Sequence, residues 1–106
     1  MTTLYLSEYK KALQAPDQIT VAVEPSYDQP PLVVNATAQL SAGFQPGTCL
    51  LRVHTDSTCI CSIAISAADE NTLYVGATVN SKRLAANSTE YFGVAPGQKL
   101  SAILNV

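Results

Sequence analysis

The chain has one histidine, and the groups it would need for nucleophilic catalysis stand beside it: His54, Asp56 and Ser57. A Ser–His–Asp mechanism needs a nucleophile, a base to take its proton and an acid to orient the base. Adjacency in sequence is not that geometry, and His54 is expected on the outward face of a strand. Three cysteines, Cys49, Cys59 and Cys61, are the other reactive groups. Their odd number argues against a disulfide framework. With His54 they make four zinc ligands on paper. Cys49 and His54, however, fall at odd spacing and would point to opposite faces of one strand. The residues are therefore expected to be reduced thiols, buried as small hydrophobes. Paired carboxylates occur only at Asp69-Glu70, in a loop, where solvated charge is the expectation. Asn35-Ala36-Thr37 and Asn87-Ser88-Thr89 match the glycosylation acceptor by chance composition. No catalytic residue, cofactor or metal ligand is expected, and the chain is not expected to be an enzyme.

Charge narrows the partners. Only 13% of the residues are charged and 47% are hydrophobic, against about 25% charged in typical domains. Such a surface suits protein–protein contact. Residues 1–30 hold Glu8, Asp17, Glu24 and Asp28 against Lys10 and Lys11. Residues 31–106 balance Asp56, Asp69, Glu70 and Glu90 with Arg52, Lys82, Arg83 and Lys99. Lys82-Arg83 is too small a basic patch to displace counterions from nucleic acid. No apolar run reaches the length of a membrane-spanning helix, and the start of the chain lacks the shape of a signal peptide. A cytoplasmic site of synthesis is expected, with no membrane partner.

The elements that position these residues are strands. Residues 32–40 alternate Leu32, Val34, Ala36, Ala38 and Leu40 against Val33, Asn35, Thr37 and Gln39. Residues 49–55 place Cys49, Leu51 and Val53 inward and Leu50, Arg52 and His54 outward. Asp56-Ser57-Thr58 turns the chain into residues 59–65, with Cys59, Cys61, Ile63 and Ile65 inward, and the two are expected to form a hairpin. Further strands are expected at 19–23, 73–79, 82–86, 89–94 and 100–106. Pro96-Gly97 marks a tight turn with a positive φ at Gly97. Seven to eight strands near ten residues apart predict an all-β domain over residues 31–106, a jelly roll first and an Ig-like sandwich next.

Residues 1–30 are expected to form an extended N-terminal arm. Pro16, Pro25, Pro30 and Pro31 interrupt them. Leu6, Tyr9 and Leu13 would line one stripe of a short helix, or residues 3–9 would add a strand to a neighbouring sheet. Three of the five tyrosines, Tyr5, Tyr9 and Tyr27, fall in this region, and tyrosine is enriched at interface hot spots. Leu4, Tyr5, Leu6, Tyr9 and Tyr27 are thus the predicted partner-binding residues.

Four stretches carry a resemblance: Leu4-Tyr5-Leu6-Ser7-Glu8-Tyr9; Arg52-Val53-His54-Thr55-Asp56 followed by Cys61-Ser62; Arg83-Leu84-Ala85-Ala86; and Thr89-Glu90-Tyr91-Phe92-Gly93-Val94 with Pro96-Gly97-Gln98. In order and over most of the chain they resemble small structural proteins of tailed bacteriophage heads. The departure is residues 15–31, a polar, proline-broken stretch. The resemblance implies a capsid decoration or cement protein on the virion exterior, bound to the major capsid protein and present as a homo-oligomer, a dimer or trimer. Other virion roles (head fibre base, head-completion or tail protein) and a small carbohydrate-binding β-module are the alternatives.

Overall fold

The segment expected to be an arm is the middle of a sheet. In the computed structural model, which describes residues 2–14, 20–66 and 76–105, the chain is all-β. The described residues form eleven strands. They are β1 (Thr3–Tyr9), β2 (Ala12–Gln14), β3 (Thr20–Ala22), β4 (Tyr27–Asp28), β5 (Leu32–Val33) and β6 (Gln39–Leu40), then β7 (Leu50–Thr55), β8 (Cys61–Ile65), β9 (Lys82–Leu84), β10 (Thr89–Gly93) and β11 (Leu100–Leu104). No helix among the described residues is long and apolar enough to cross a membrane.

One antiparallel sheet runs β10-β7-β1-β4, with β5 also paired to β1. A second runs β6-β11-β8-β9, and β2 and β3 form a separate hairpin. The two large sheets face each other across one core. Leu4, Leu6, Leu51 and Val53 enter from the first sheet; Cys61, Ile63, Leu84, Leu100 and Ala102 enter from the second, and Val34, Phe44 and Cys59 fill between them. The chain passes from one large sheet to the other at β5–β6, β6–β7, β7–β8, β9–β10 and β10–β11, and stays within a sheet at β2–β3, β4–β5 and β8–β9.

Four expectations are corrected. Residues 3–9 are not an unpaired arm, because β1 pairs with β7 from Leu4↔Thr55 to Tyr9↔Leu50 and with β4 and β5 on its other side. Its alternation buries Leu4, Leu6 and Glu8, and each buried leucine removes apolar surface worth about 1.5–3 kcal/mol. Asp56 pins its start: Thr3 N donates to Asp56 Oδ2 at 2.9 Å, and Asp56 N donates to Thr3 O at 3.2 Å. Second, β7 and β8 are not a hairpin; the Asp56–Thr58 turn carries the chain across the core between sheets. Alternation alone does not separate the two cases, since either way both strands turn one apolar face to the same core. Third, residues 32–40 break into β5 and β6, with Thr37 N donating to Asn35 Oδ1 at 2.9 Å in the bend between them. Fourth, Cys49 is exposed, because it lies before the first residue of β7. The strand expected over 73–79 falls mostly outside the described residues, as does Tyr74, and residues 76–78 form no strand.

The turn chemistry is as the sequence demands. Gly47 and Gly97 have φ of 86° and 83°, each after a proline. Thr48 N donates to Gln45 O at 3.2 Å and Gln98 N to Ala95 O at 3.3 Å, which makes both type II turns.

Candidate interaction face

Strand parity decides which residues face out. In the β10-β7-β1 sheet the register aligns Tyr5 with His54 and Thr89, and Ser7 with Arg52 and Tyr91, on the side away from the core. Asp28 continues the second row beside Ser7, and Val33 lies beside Thr3. Tyr5 is 43% exposed, Val33 43% and Tyr91 53%. The result is a surface of aromatic and aliphatic groups, with Arg52 and His54 half-buried in the rows of the tyrosines.

The polar groups on this face hold one another. His54 Nδ1 and Thr89 Oγ1 are 2.8 Å apart, and the Tyr5 and His54 rings lie 6.3 Å apart at 37°. Hydrogen bonds from Ser7 and then Ser26 lower the Asp28 pKa against some burial, with Arg52 adding to the effect. One end of the face is closed. Tyr9 and Leu50 share a rung and are both buried. Burial, then a hydrogen bond to Glu24, raises the Tyr9 pKa.

On the other sheet the exposed apolar groups among the described residues are Leu40, beside Ser101, and Val79, near Asn105, with no exposed aromatic. That sheet's outward residues Ser62 and Ser101 are themselves buried. Asn105 Nδ2 donates to Ser62 Oγ at 2.7 Å, and Ala77 N donates to Ser101 Oγ at 2.8 Å. The chain around Ala77 therefore lies over the middle of that sheet.

Of the predicted partner-binding residues, Leu4 and Leu6 are core residues and Tyr9 is buried, so none of the three is available to a partner. Tyr5 is on the exposed face. Tyr27 is exposed at the sheet edge and lines a groove of about 400 Å³ with Glu8, Lys10, Lys11 and Glu24. Tyr91 and Val33 were missed as face residues. The signal for both was alternation: Val33 shares parity with Asn35 and Gln39, and Tyr91 has the parity opposite to Phe92, which packs on the core.

Glu8 is the other missed residue. It is 1% exposed. Its Oε1 accepts from Gln45 N at 2.7 Å and Thr48 Oγ1 at 2.8 Å, and its Oε2 accepts from Gln29 Nε2 at 2.8 Å. It clamps both ends of the Gln45–Thr48 turn to β1. In a pattern of Leu4-Tyr5-Leu6-Ser7-Glu8-Tyr9 an acid at an inward position looks like the end of the strand, and its partners come from distant segments.

Of the groups considered for catalysis, His54 is held by Thr89 and Asp56 by backbone and side-chain donors. Asp56 accepts from Thr3 N, Thr58 N and Thr58 Oγ1. Burial opposes its ionisation, and those hydrogen bonds outweigh it and lower the pKa. Among the described residues no three His, Cys, Asp or Glu side chains stand close enough to hold a metal ion. All three cysteines are free. Burial, and then the neighbouring Cys61, pushes the Cys59 thiol up to about 12, and burial raises Cys61 as well. Thiolate is the reactive form. A thiol reagent at neutral pH should therefore titrate one group, Cys49, in the folded chain and all three in denaturant. Rapid reaction of two or three thiols without denaturant would contradict the buried positions of Cys59 and Cys61.

No protein-family model, curated protein or solved structure matches the chain.

Proposed function

We propose that this chain is a virion structural protein, a capsid decoration or cement protein that lies on the exterior of a bacteriophage head and braces major capsid subunits. The observation that carries the reading is the exposed outer face of the first sheet, which carries Tyr5, Tyr91, Arg52 and His54 in adjacent rows and Val33 beside Thr3. Tyrosine and arginine in such a patch are the residue types that anchor protein interfaces. The low charge of the chain and the four stretches that resemble phage head proteins support the same reading. On it, the protein is made in the host cytoplasm and acts on the assembled particle.

The connectivity supports the finer fold assignment, a jelly roll. The second sheet, β6-β11-β8-β9, has the order expected of strands C, H, E and F. The first, with β4 and β5 at one edge, then β1, β7 and β10, matches B, I, D and G once β1 fills the place of the last strand. Jelly rolls serve capsid and lectin domains alike, so the fold alone does not decide function.

Tyr5→Ala and Tyr91→Ala should each reduce occupancy on heads lacking this protein by about tenfold or more, as hot-spot truncations do. Their melting temperatures should stay near that of the parent, because neither side chain is in the core. Quantitative binding to such heads checks this. Full occupancy by the double variant, or no binding of the parent protein together with tyrosine-dependent binding of a soluble polysaccharide, would overturn it; the second outcome would favour the carbohydrate-binding reading.

A further inference from the structure

We propose that β10 is the edge through which two copies of this chain join, strand to strand, about a two-fold axis at Tyr91. An open sheet edge presents unpaired backbone groups, and proteins blunt such edges with proline, lysine or very short strands. Of the four edges of the two large sheets, three are blunted. β4 and β5 have two residues each and lie among Pro25, Pro30 and Pro31. β6 also has two residues, and β9 has three, led by Lys82-Arg83. β10 has five residues, Thr89–Gly93, with no proline or lysine, and no strand lies beyond it among the described residues.

The ladder fixes which of its backbone groups are open. Thr55 N donates to Ser88 O at 2.9 Å and Val94 N donates to Cys49 O at 3.1 Å. In an antiparallel pair these bonds recur at every second residue. Glu90 and Phe92 therefore aim their N–H and C=O groups at β7, and Thr89, Tyr91 and Gly93 aim theirs outward. A side chain built at Gly93 would meet nothing within 4 Å.

A second copy is the occupant that the charges fit. Antiparallel pairing about Tyr91 sets Tyr91 against its own counterpart, Thr89 against Gly93 and Glu90 against Phe92. All three outward residues then exchange backbone hydrogen bonds with the other chain. Lys82 Nζ already lies 4.8 Å from the centroid of the Phe92 ring. Glu90 of the second copy, opposite Phe92 on the same side of the sheet, would come beside that ammonium, and the symmetry makes the contact twice. Arg83 is turned aside, with its Nε donating to Asn105 O at 3.4 Å. A register centred on Glu90 would instead set two carboxylates face to face, which is destabilising. The joined edges would merge the two outer faces into one surface carrying both sets of Tyr5 and Tyr91.

The dimer needs no capsid, so its test is independent of the proposed function. Sedimentation of the purified full-length chain over a concentration series should show a reversible monomer–dimer equilibrium. Glu90→Lys should raise the dissociation constant by about tenfold or more, since like charges across an interface are strongly disfavoured. Adding Lys82→Glu to Glu90→Lys should restore association to within about threefold of the parent, because the pair is then only reversed in sign. Tyr91→Pro removes an outward N–H, the position where an edge strand tolerates proline, and should leave a folded monomer. A parent chain that stays monomeric throughout overturns the proposal. So does a dimer indifferent to both Glu90→Lys and Tyr91→Pro.

Discussion

A chain lacking residues 1–14 should fail to fold. The deletion takes out β1, whose two sides pair with β7 and with β4 and β5. It also removes Leu4 and Leu6 from the core, Glu8 from the Gln45–Thr48 turn and the Thr3 partner of Asp56. Truncating one buried leucine to alanine costs about 2–5 kcal/mol. Domains of this size have about 5–15 kcal/mol in total. Two leucines at that rate take about 4–10 kcal/mol, comparable to the whole reserve, before the lost β1 pairings and Glu8 hydrogen bonds are added. Circular dichroism should show no cooperative melt for the shortened chain, whereas the full chain should unfold in one transition. A synthetic peptide of residues 1–14 should restore the transition by filling the vacant strand position. A cooperative melt within a few degrees of the parent, without peptide, would mean that β1 contributes nothing the rest of the sheet cannot replace.

Glu8→Ala should be the most damaging single change at a polar residue. Hydrogen bonds to charged groups contribute about 1.5–3 kcal/mol each, and buried donors left without an acceptor add their desolvation cost. The substitution strands Gln45 N, Thr48 Oγ1 and Gln29 Nε2 together, for an expected loss of about 3 kcal/mol or more in urea denaturation. Glu8→Gln tests the chemistry against the shape. Its amide keeps the volume and one acceptor, but it turns an NH₂ group towards Gln45 and Thr48 or towards Gln29. Gln29 cannot flip freely to accommodate it, because its Nε2 also donates to Ala42 O at 3.2 Å. The expected cost is intermediate, about 1–3 kcal/mol. A Glu8→Ala protein as stable as the parent would show that water replaces all three contacts.

Local signals carried the β character of the chain well. Alternation assigned inward positions to Leu51, Val53, Cys59, Cys61 and Ile63, and all five are in the core. Pro96-Gly97 announced its own turn. Pairing was harder to read, because period-two alternation marks a face but not the sheet that bears it. That is why residues 49–65 looked like a hairpin and cross the core instead. The arm was misread for a related reason. Residues 3–9 are followed by lysines and prolines that suggest a tether, while the partners that bury Leu4 and Leu6 lie far along the chain at Leu32 and at Val53 and Thr55. Of the interaction face, only Tyr5 was legible as a binding residue; Arg52 and His54 were placed outward without being joined to Tyr91, because the rows that bring them together arise only when β1, β7 and β10 lie side by side.

The central place of β1 also sets the order of events during synthesis. Thr3–Tyr9 is made well before its principal neighbour β7, Leu50–Thr55. Until then Leu4-Tyr5-Leu6 is an unpaired apolar strand, the kind of segment through which nascent chains associate wrongly. Contacts so distant in sequence also slow folding, since long loops must close before they are rewarded. Growth of the chain, rather than the chemistry of any single residue, is therefore where this fold is most vulnerable, and a chaperone that holds Thr3–Tyr9 until β7 is made would protect it most.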